Sequence, residues 1–183
     1  MVTKKSVKPK KKVKRTKKVK QLRHLFLYKE INHDSAEKFI SQFKDMEAES
    51  TKGPIIVYLC CPGGSITYGW TIVDCILYAQ CPVFMVASGE VASMAVPIFV
   101  AAHHRIVTKH TRFMLHPAWC RFGDYLPNLE TQLESVKTDT KMYTEFLEER
   151  TDIPARLLTK SAKSEVWISV EDAVKYKIAD EEI

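Results

Sequence analysis

No apolar run in this 183-residue sequence approaches the ~20 residues that a membrane-crossing helix requires, so no segment is a candidate for spanning a bilayer. Residues 1–20 contain no Asp or Glu and no aromatic side chain. That basic start is not followed by an apolar stretch, so it does not read as a secretory signal. The five cysteines (Cys60, Cys61, Cys75, Cys81 and Cys120) form an odd set without metal-type spacing. Cys60 and Cys61 are adjacent, so on a strand they point to opposite faces and cannot share one ion. Cys75 and Cys81 lie among apolar residues, where a free thiol acts as a small core side chain. This cysteine usage fits a reducing compartment. The expected localisation is therefore cytoplasmic, with the basic start leaving nuclear or virion-associated placement open.

The length suits one domain with a sizeable core, and 27% charged with 45% apolar residues suits a soluble globular chain. The net charge of +6 is unevenly spread. Eleven of the 28 basic residues fall within positions 1–20, leaving 17 basic against 22 acidic residues, or −5, for the rest. Residues 1–20 are expected to be a disordered, self-repelling Lys-rich tail, and residues 21–183 a folded domain. Clustered lysines suit nucleic acid or another anionic surface, because they displace counterions from phosphates. A merely solubilising tail is an equal reading, since no aromatic is present to stack on bases.

Beyond the tail, strand and helix patterns alternate. His24–Tyr28 reads as a short strand, and Asp34 as the cap of a helix to about Glu49. The β-branched run Pro54–Cys60 reads as a buried parallel strand, ended by Pro-Gly-Gly before a helix over Ser65–Ala79. Pro82–Ala87 reads as another strand, ended by Ser88-Gly89, with a helix from near Ser93 to Ala102. Two short strands are expected at Arg105–Thr108 and Arg112–Leu115. Leu126, Leu129, Leu133, Val136, Tyr143 and Leu147 recur at helical spacing within a long amphipathic helix over Asp124–Arg150. A shorter helix follows Pro154, Trp167-Ile168 suits a strand, and Ser169 with Asp172 suits a capped helix to about Lys177. Repeated β-then-α units imply an α/β fold with parallel strands and right-handed crossovers.

Three segments combine residues that can carry chemistry. Cys61-Pro62-Gly63-Gly64-Ser65 ends a buried strand, and its glycines can turn backbone amides toward a ligand. By itself such a turn is more often only a turn. Gly89 to Ala95 (GEVASMA) surrounds Ser93 with small residues at a strand-to-helix junction, which leaves a hydroxyl accessible. A helix-capping serine is the plainer alternative. Phe113-Met114-Leu115-His116-Pro117 ends an apolar strand in an imidazole that can act as a base near neutral pH. A satisfied, half-buried histidine is the plainer alternative there.

Taken together, IIVYLCCPGGSITYGWTIVDCI, VASGEVASMAV and TRFMLHPA resemble, in order, the S-P-G-G-S, G-x-A-A-S-M-G-A and M-I-H-Q-P segments of the ClpP (caseinolytic) serine peptidase family. The similarity continues to WISVEDAVKYKIAD, which resembles that family's closing signature, and covers about residues 23–183. The resemblance implies a ClpP/crotonase-like α/β fold of repeated ββα units with a projecting handle helix. It implies Ser93 as nucleophile, His116 as general base, and Glu165 in the place of the family's acid. Gly64 and Met94 match the residues whose amides form the oxyanion hole. The order Ser–His–acid differs from the Ser–acid–His order of α/β-hydrolases.

The same resemblance implies a proteolytic subunit of an ATP-dependent protease, a serine endopeptidase cutting unfolded polypeptides inside an oligomeric ring. Homo-oligomeric heptameric rings, stacked as a tetradecamer, and an AAA+ ATPase partner follow as expectations. No metal or organic cofactor is expected in this chain, since ATP would be used by the partner. The sequence departs from the family at Glu165 (usually Asp), Ala95 (usually Gly), Pro97, Pro117 (usually Gln) and Lys177 (usually Gly). Its basic arm also differs from the family's hydrophobic-tipped axial loop. Two further readings stand beside the peptidase. One is a crotonase-like acyl-CoA enzyme using the two turns without a Ser-His pair. The other is a catalytically inactive ClpP-like scaffold subunit.

Overall fold

In the computed structural model the chain is described over residues 23–119 and 125–183; the basic tail, Cys120 and Asp124 lie outside them. Strand β1 (Arg23–Leu27) leads into helix α1 (His33–Glu49). The cap of α1 is Asn32 rather than Asp34. The Asn32 side chain accepts the Ser35 N–H at 3.0 Å, while the Ser35 hydroxyl accepts the Asn32 N–H at 2.9 Å. This reciprocal pair satisfies two donors, and Asp34 instead occupies the first turn beside His33.

Strand β2 (Ile55–Cys61) alternates buried and half-buried side chains, and Ser65 caps helix α2 (Ile66–Leu77). Cys61 is buried and Cys60 half-buried, as opposite faces of a strand require. Strand β3 (Val83–Ala92) does not stop at Ser88-Gly89 as its sequence suggests. Gly89 takes φ +67°, which lets the strand turn and change partner without ending. Residues Phe84–Ala87 pair with β4 (His104–Val107), whereas Glu90–Ala92 pair with β5 (Arg112–Leu115). The register with β2 slips at the same place, from Leu59↔Ala87 to Cys61↔Val91.

Helix α3 begins at Ala95, two residues past Ser93, and ends at Val100 rather than Ala102, with every side chain buried. The long helix α4 (Leu126–Arg150) follows, then α5 (Ala155–Ser161), β6 (Val166–Ile168), α6 (Val170–Lys175) and β7 (Glu181–Glu182). Among the described residues the sheet has seven strands in the order β1-β2-β3-β4-β7, with β5 pairing β3 and β6. Its pairs are parallel except β5 with β6, which is antiparallel. The core between sheet and helices is dominated by Phe43, Phe99, Phe113 and aliphatic side chains.

The apolar stripe of α4 is seated on its own domain only toward its C-terminal end. Leu147 is fully buried, Tyr143 and Phe146 pack against the core, and the Trp70 and Phe146 rings meet edge to face at 5.3 Å. Farther along, Leu133 and Met142 are 46% and 43% exposed. Exposed apolar side chains on one helix are candidates for contact with another surface.

Helix α6 ends in a Schellman motif. The Ile178 N–H bonds to the Ala173 carbonyl at 2.8 Å, and the Lys177 N–H to the Val174 carbonyl at 3.1 Å. Lys177 takes φ +52° at the position that most favours glycine. Its ammonium reaches Asp152 at 2.7 Å, but both groups are exposed and the pair contributes little. Lys177→Gly is therefore expected to stabilise the chain by about 1 kcal/mol, since a left-handed side-chain conformation is relieved. The urea midpoint measures this, and a lower midpoint would contradict it.

Candidate active site

The two turns singled out in the sequence come from neighbouring strands and press against one another. At the end of β2, Gly63 takes φ +92° and lies against Ala92 and Ser93 at the end of β3. A Cβ built on Gly63 would lie 2.6 Å from the Ser93 Cβ and 2.7 Å from the Ala92 carbonyl oxygen. Only a glycine lets the turns approach this closely.

Backbone pairing then sets the direction of the next amide. The Ile31 N–H donates to the Gly63 carbonyl at 2.7 Å, and the Ser65 N–H to the Ile31 carbonyl at 2.8 Å. The Gly63 N–H is directed to the Cys61 sulfur at 3.4 Å. The Gly64 N–H takes part in none of these bonds. Among the described residues, neither it nor the Met94 N–H donates to a protein acceptor. Both residues line one cleft of about 650 Å³ with Ser93 and His116. Two unengaged amides at such a cleft can receive an oxyanion.

Ser93 itself has φ +55°, a rare conformation for a residue with a Cβ. Its N–H donates to the Met114 carbonyl at 2.7 Å, tying it to β5 two residues before His116. His116, one residue past the end of β5, is half-buried on the same cleft. Among the described residues no hydrogen bond joins Ser93 Oγ to His116, or His116 to Glu165. Such bonds are often long in unliganded sites and tighten around substrate.

Glu165 precedes β6 and is exposed. The β5–β6 register pairs Phe113 with Ile168, Met114 with Trp167 and Leu115 with Val166. His116 and Glu165 are the next residues beyond this ladder, and both lie outside the strands. The Glu165 carboxylate accepts the Trp167 indole N–H at 3.3 Å, and the Trp167 ring carries the Arg112 guanidinium 4.8 Å away. Ser93, His116, Gly64 and Met94 thus share the cleft, while Glu165 is not among the lining residues.

Cys61 is a second nucleophile-type side chain near the turn. Burial pushes its thiol up to about 11, which leaves it protonated and unreactive at neutral pH. The sequence singled out neither Glu30 and Asp139, whose carboxylates line the cleft, nor Trp119 at its exposed side. It read Tyr143 only as a member of the helical stripe. The Tyr143 side chain lines the cleft, and its hydroxyl donates to the Ser93 carbonyl at 3.2 Å. Helical spacing signals a packed face, and nothing in it distinguishes a phenol from a leucine.

The Clp protease family model matches residues 8–183. The chain belongs to the Clp protease family. It is 30% identical over 156 residues to an ATP-dependent Clp protease proteolytic subunit 3 from Rhizobium etli, covering 84% of this chain and 80% of that relative. It is 25% identical over 163 residues to an ATP-dependent Clp protease proteolytic subunit from Deinococcus radiodurans, covering 88% and 80% of the two chains. A solved structure of a ClpP1 mutant from Listeria monocytogenes superposes with a TM-score of 0.79 at 28% identity, covering 88% of this chain and 91% of that one. The fold of this Clp protease family member is thus the ClpP fold, including the parallel sheet that carries both turns.

The fit of Gly63 against Ser93 generates a test. Gly63→Ala is expected to cost about 1–3 kcal/mol of stability through overpacking between the two turns. Chemical denaturation would measure it, and wild-type stability would show that the turns are not held in this contact.

Proposed function

We propose that this chain, a serine peptidase of the Clp protease family, cleaves peptide bonds with Ser93 as nucleophile and His116 as general base. What supports the reading is one cleft lined by a left-handed serine, an imidazole and two residues with unengaged amides. In the first step His116 takes the Ser93 hydroxyl proton as the oxygen attacks the substrate carbonyl. The carbonyl π-electrons move to oxygen, and the resulting oxyanion is received by the Gly64 and Met94 amides. Preorganised donors of this kind contribute roughly 3–4 kcal/mol each. Collapse of the intermediate breaks the C–N bond, with His116 returning its proton to the leaving amine. Water then repeats the sequence on the acyl-serine, releasing a carboxylic acid and free Ser93.

Glu165 serves as the acid that orients and charge-balances His116. The β5–β6 register favours this assignment. The Trp167 indole engages one of the two Glu165 carboxylate oxygens. No metal or organic cofactor enters these steps.

The finer reading concerns assembly. We infer a homo-oligomer of heptameric rings, stacked as a tetradecamer through α4. Its support is the apolar face that α4 leaves uncovered. Access only through such a ring confines cleavage to unfolded polypeptide delivered by an AAA+ ATPase, which spends the ATP. The printed names of the relatives, ATP-dependent proteolytic subunits, favour that partner. Among the described residues no helix is long and apolar enough to cross a membrane, and the working compartment proposed is the cytoplasm. Residues 1–20, by their charge, are proposed to bind nucleic acid or another anionic surface.

Two experiments test the chemistry. A fluorophosphonate probe should label wild-type protein at Ser93, and Ser93→Ala should lose both labelling and peptide hydrolysis, the latter by about a thousandfold or more. A Ser93→Ala protein cleaving at the wild-type rate would sink the peptidase reading, and an unlabelled ring of intact mass would favour a scaffold. Separately, Glu165→Gln should lower kcat by about a hundredfold or more while the protein stays folded. An unchanged kcat would remove Glu165 from the mechanism.

A further inference from the structure

The peptide unit between Ser93 and Met94 carries two groups that the chemistry uses in opposite ways. Its carbonyl belongs to the nucleophile, and its N–H belongs to Met94, one of the two amides facing the cleft. Because a trans peptide is planar, its C=O and N–H point in opposite directions. Whatever anchors the Ser93 carbonyl therefore aims the Met94 amide. Two donors do so. The Val96 N–H lies 3.0 Å away within the same turn, and the Tyr143 hydroxyl lies 3.2 Å away on α4, fifty positions along the chain.

A left-handed turn such as that at Ser93 persists only where its surroundings hold it. The Met114 carbonyl holds the Ser93 N–H from the β5 side, and Tyr143 holds the carbonyl from the α4 side. An apolar side chain at position 143 would serve the helical stripe as well as tyrosine, so packing does not account for the hydroxyl. Burial pushes the pKa of this phenol up, so it keeps its proton and remains a donor across the working pH range. A carbonyl that accepts a further hydrogen bond also makes the N–H of its own amide a stronger donor.

We propose that Tyr143 is a positioning residue, whose hydroxyl locks the Ser93–Met94 peptide plane and so sets both the nucleophile and the Met94 oxyanion donor. This rests on the peptidase reading of the cleft and adds a role for α4 within it. Most of α4 is exposed, so the bond ties the nucleophile to a largely exposed helix.

Full-length wild type and Tyr143→Phe, which differ by one oxygen atom, provide the test. Three quantities are compared: the fluorophosphonate labelling rate at Ser93, kcat and KM for a small peptide, and the thermal midpoint. Loss of one ordinary hydrogen bond in the transition state corresponds to about a tenfold fall. The expected result is that fall in kcat and in labelling rate, with KM and the thermal midpoint nearly unchanged. Tyr143→Leu should show the same fall in kcat together with a lower midpoint, because it also removes the ring. A folded Tyr143→Phe protein with wild-type labelling and kcat overturns the proposal. So does a rise in KM alone, which would make Tyr143 a wall of the substrate site, or a large drop in midpoint, which would make the hydroxyl a prop of the fold. If the wild type is not labelled at Ser93, the peptidase reading itself fails and takes this role with it.

Discussion

Two strand ends, Cys61–Gly64 and Ala92–Met94, must approach so closely that no side chain fits between them. The contact of Gly63 with Ser93 is the tightest expression of this constraint. Several other features of the structure meet there. The register slip between β2 and β3 brings the two turns level, and the left-handed Gly89 lets β3 bend on to β5 instead of ending. The Ile31 bridge and the Cys61 sulfur occupy the backbone groups around Gly63, leaving the Gly64 amide unengaged. Disturbing any one of these would misplace an amide or a hydroxyl that the others have aimed.

Strand β5 supplies the second coordinate of the site. It binds the Ser93 N–H through Met114 and delivers His116 two residues later, so Ser93 and His116 are both positioned from one rigid element. Side chains on sheet strands hold their spacing better than side chains on loops, and catalysis depends on that spacing. Glu165 is less firmly placed. It lies before the antiparallel β6, exposed, with its carboxylate bound by an indole that itself stacks beneath an arginine. Glutamate adds one methylene to the family's aspartate, and the Trp167 bond limits the extra freedom that this methylene brings.

Helix α4 makes the domain asymmetric. Its C-terminal end is seated through Leu147, Phe146 and Tyr143, while Leu133 and Met142 face outward. Exposed apolar side chains of this kind are what the proposed self-association through α4 would cover. The Tyr143–Ser93 bond means that the same helix reaches the Ser93 turn.

Much of this was readable without coordinates. The β-branched runs announced buried parallel strands, and the order of the Pro-Gly-Gly, Ser93 and His116 segments announced the family. Short-range chemistry suffices for such features, because propensity, periodicity and turn residues act over a few neighbours. The capping of α1 was misread by two residues, since Asn32 and Asp34 are both good caps and only the reciprocal Ser35 bond separates them. Ser88-Gly89 looked like a strand end, but a left-handed glycine can equally bend a strand whose two halves find different partners. Which amides stay unengaged, which carboxylate meets an indole, and which member of an apolar stripe turns its hydroxyl to Ser93 were decided only by tertiary structure. Those are contacts between residues distant in the chain, and only the packed chain sets their distances.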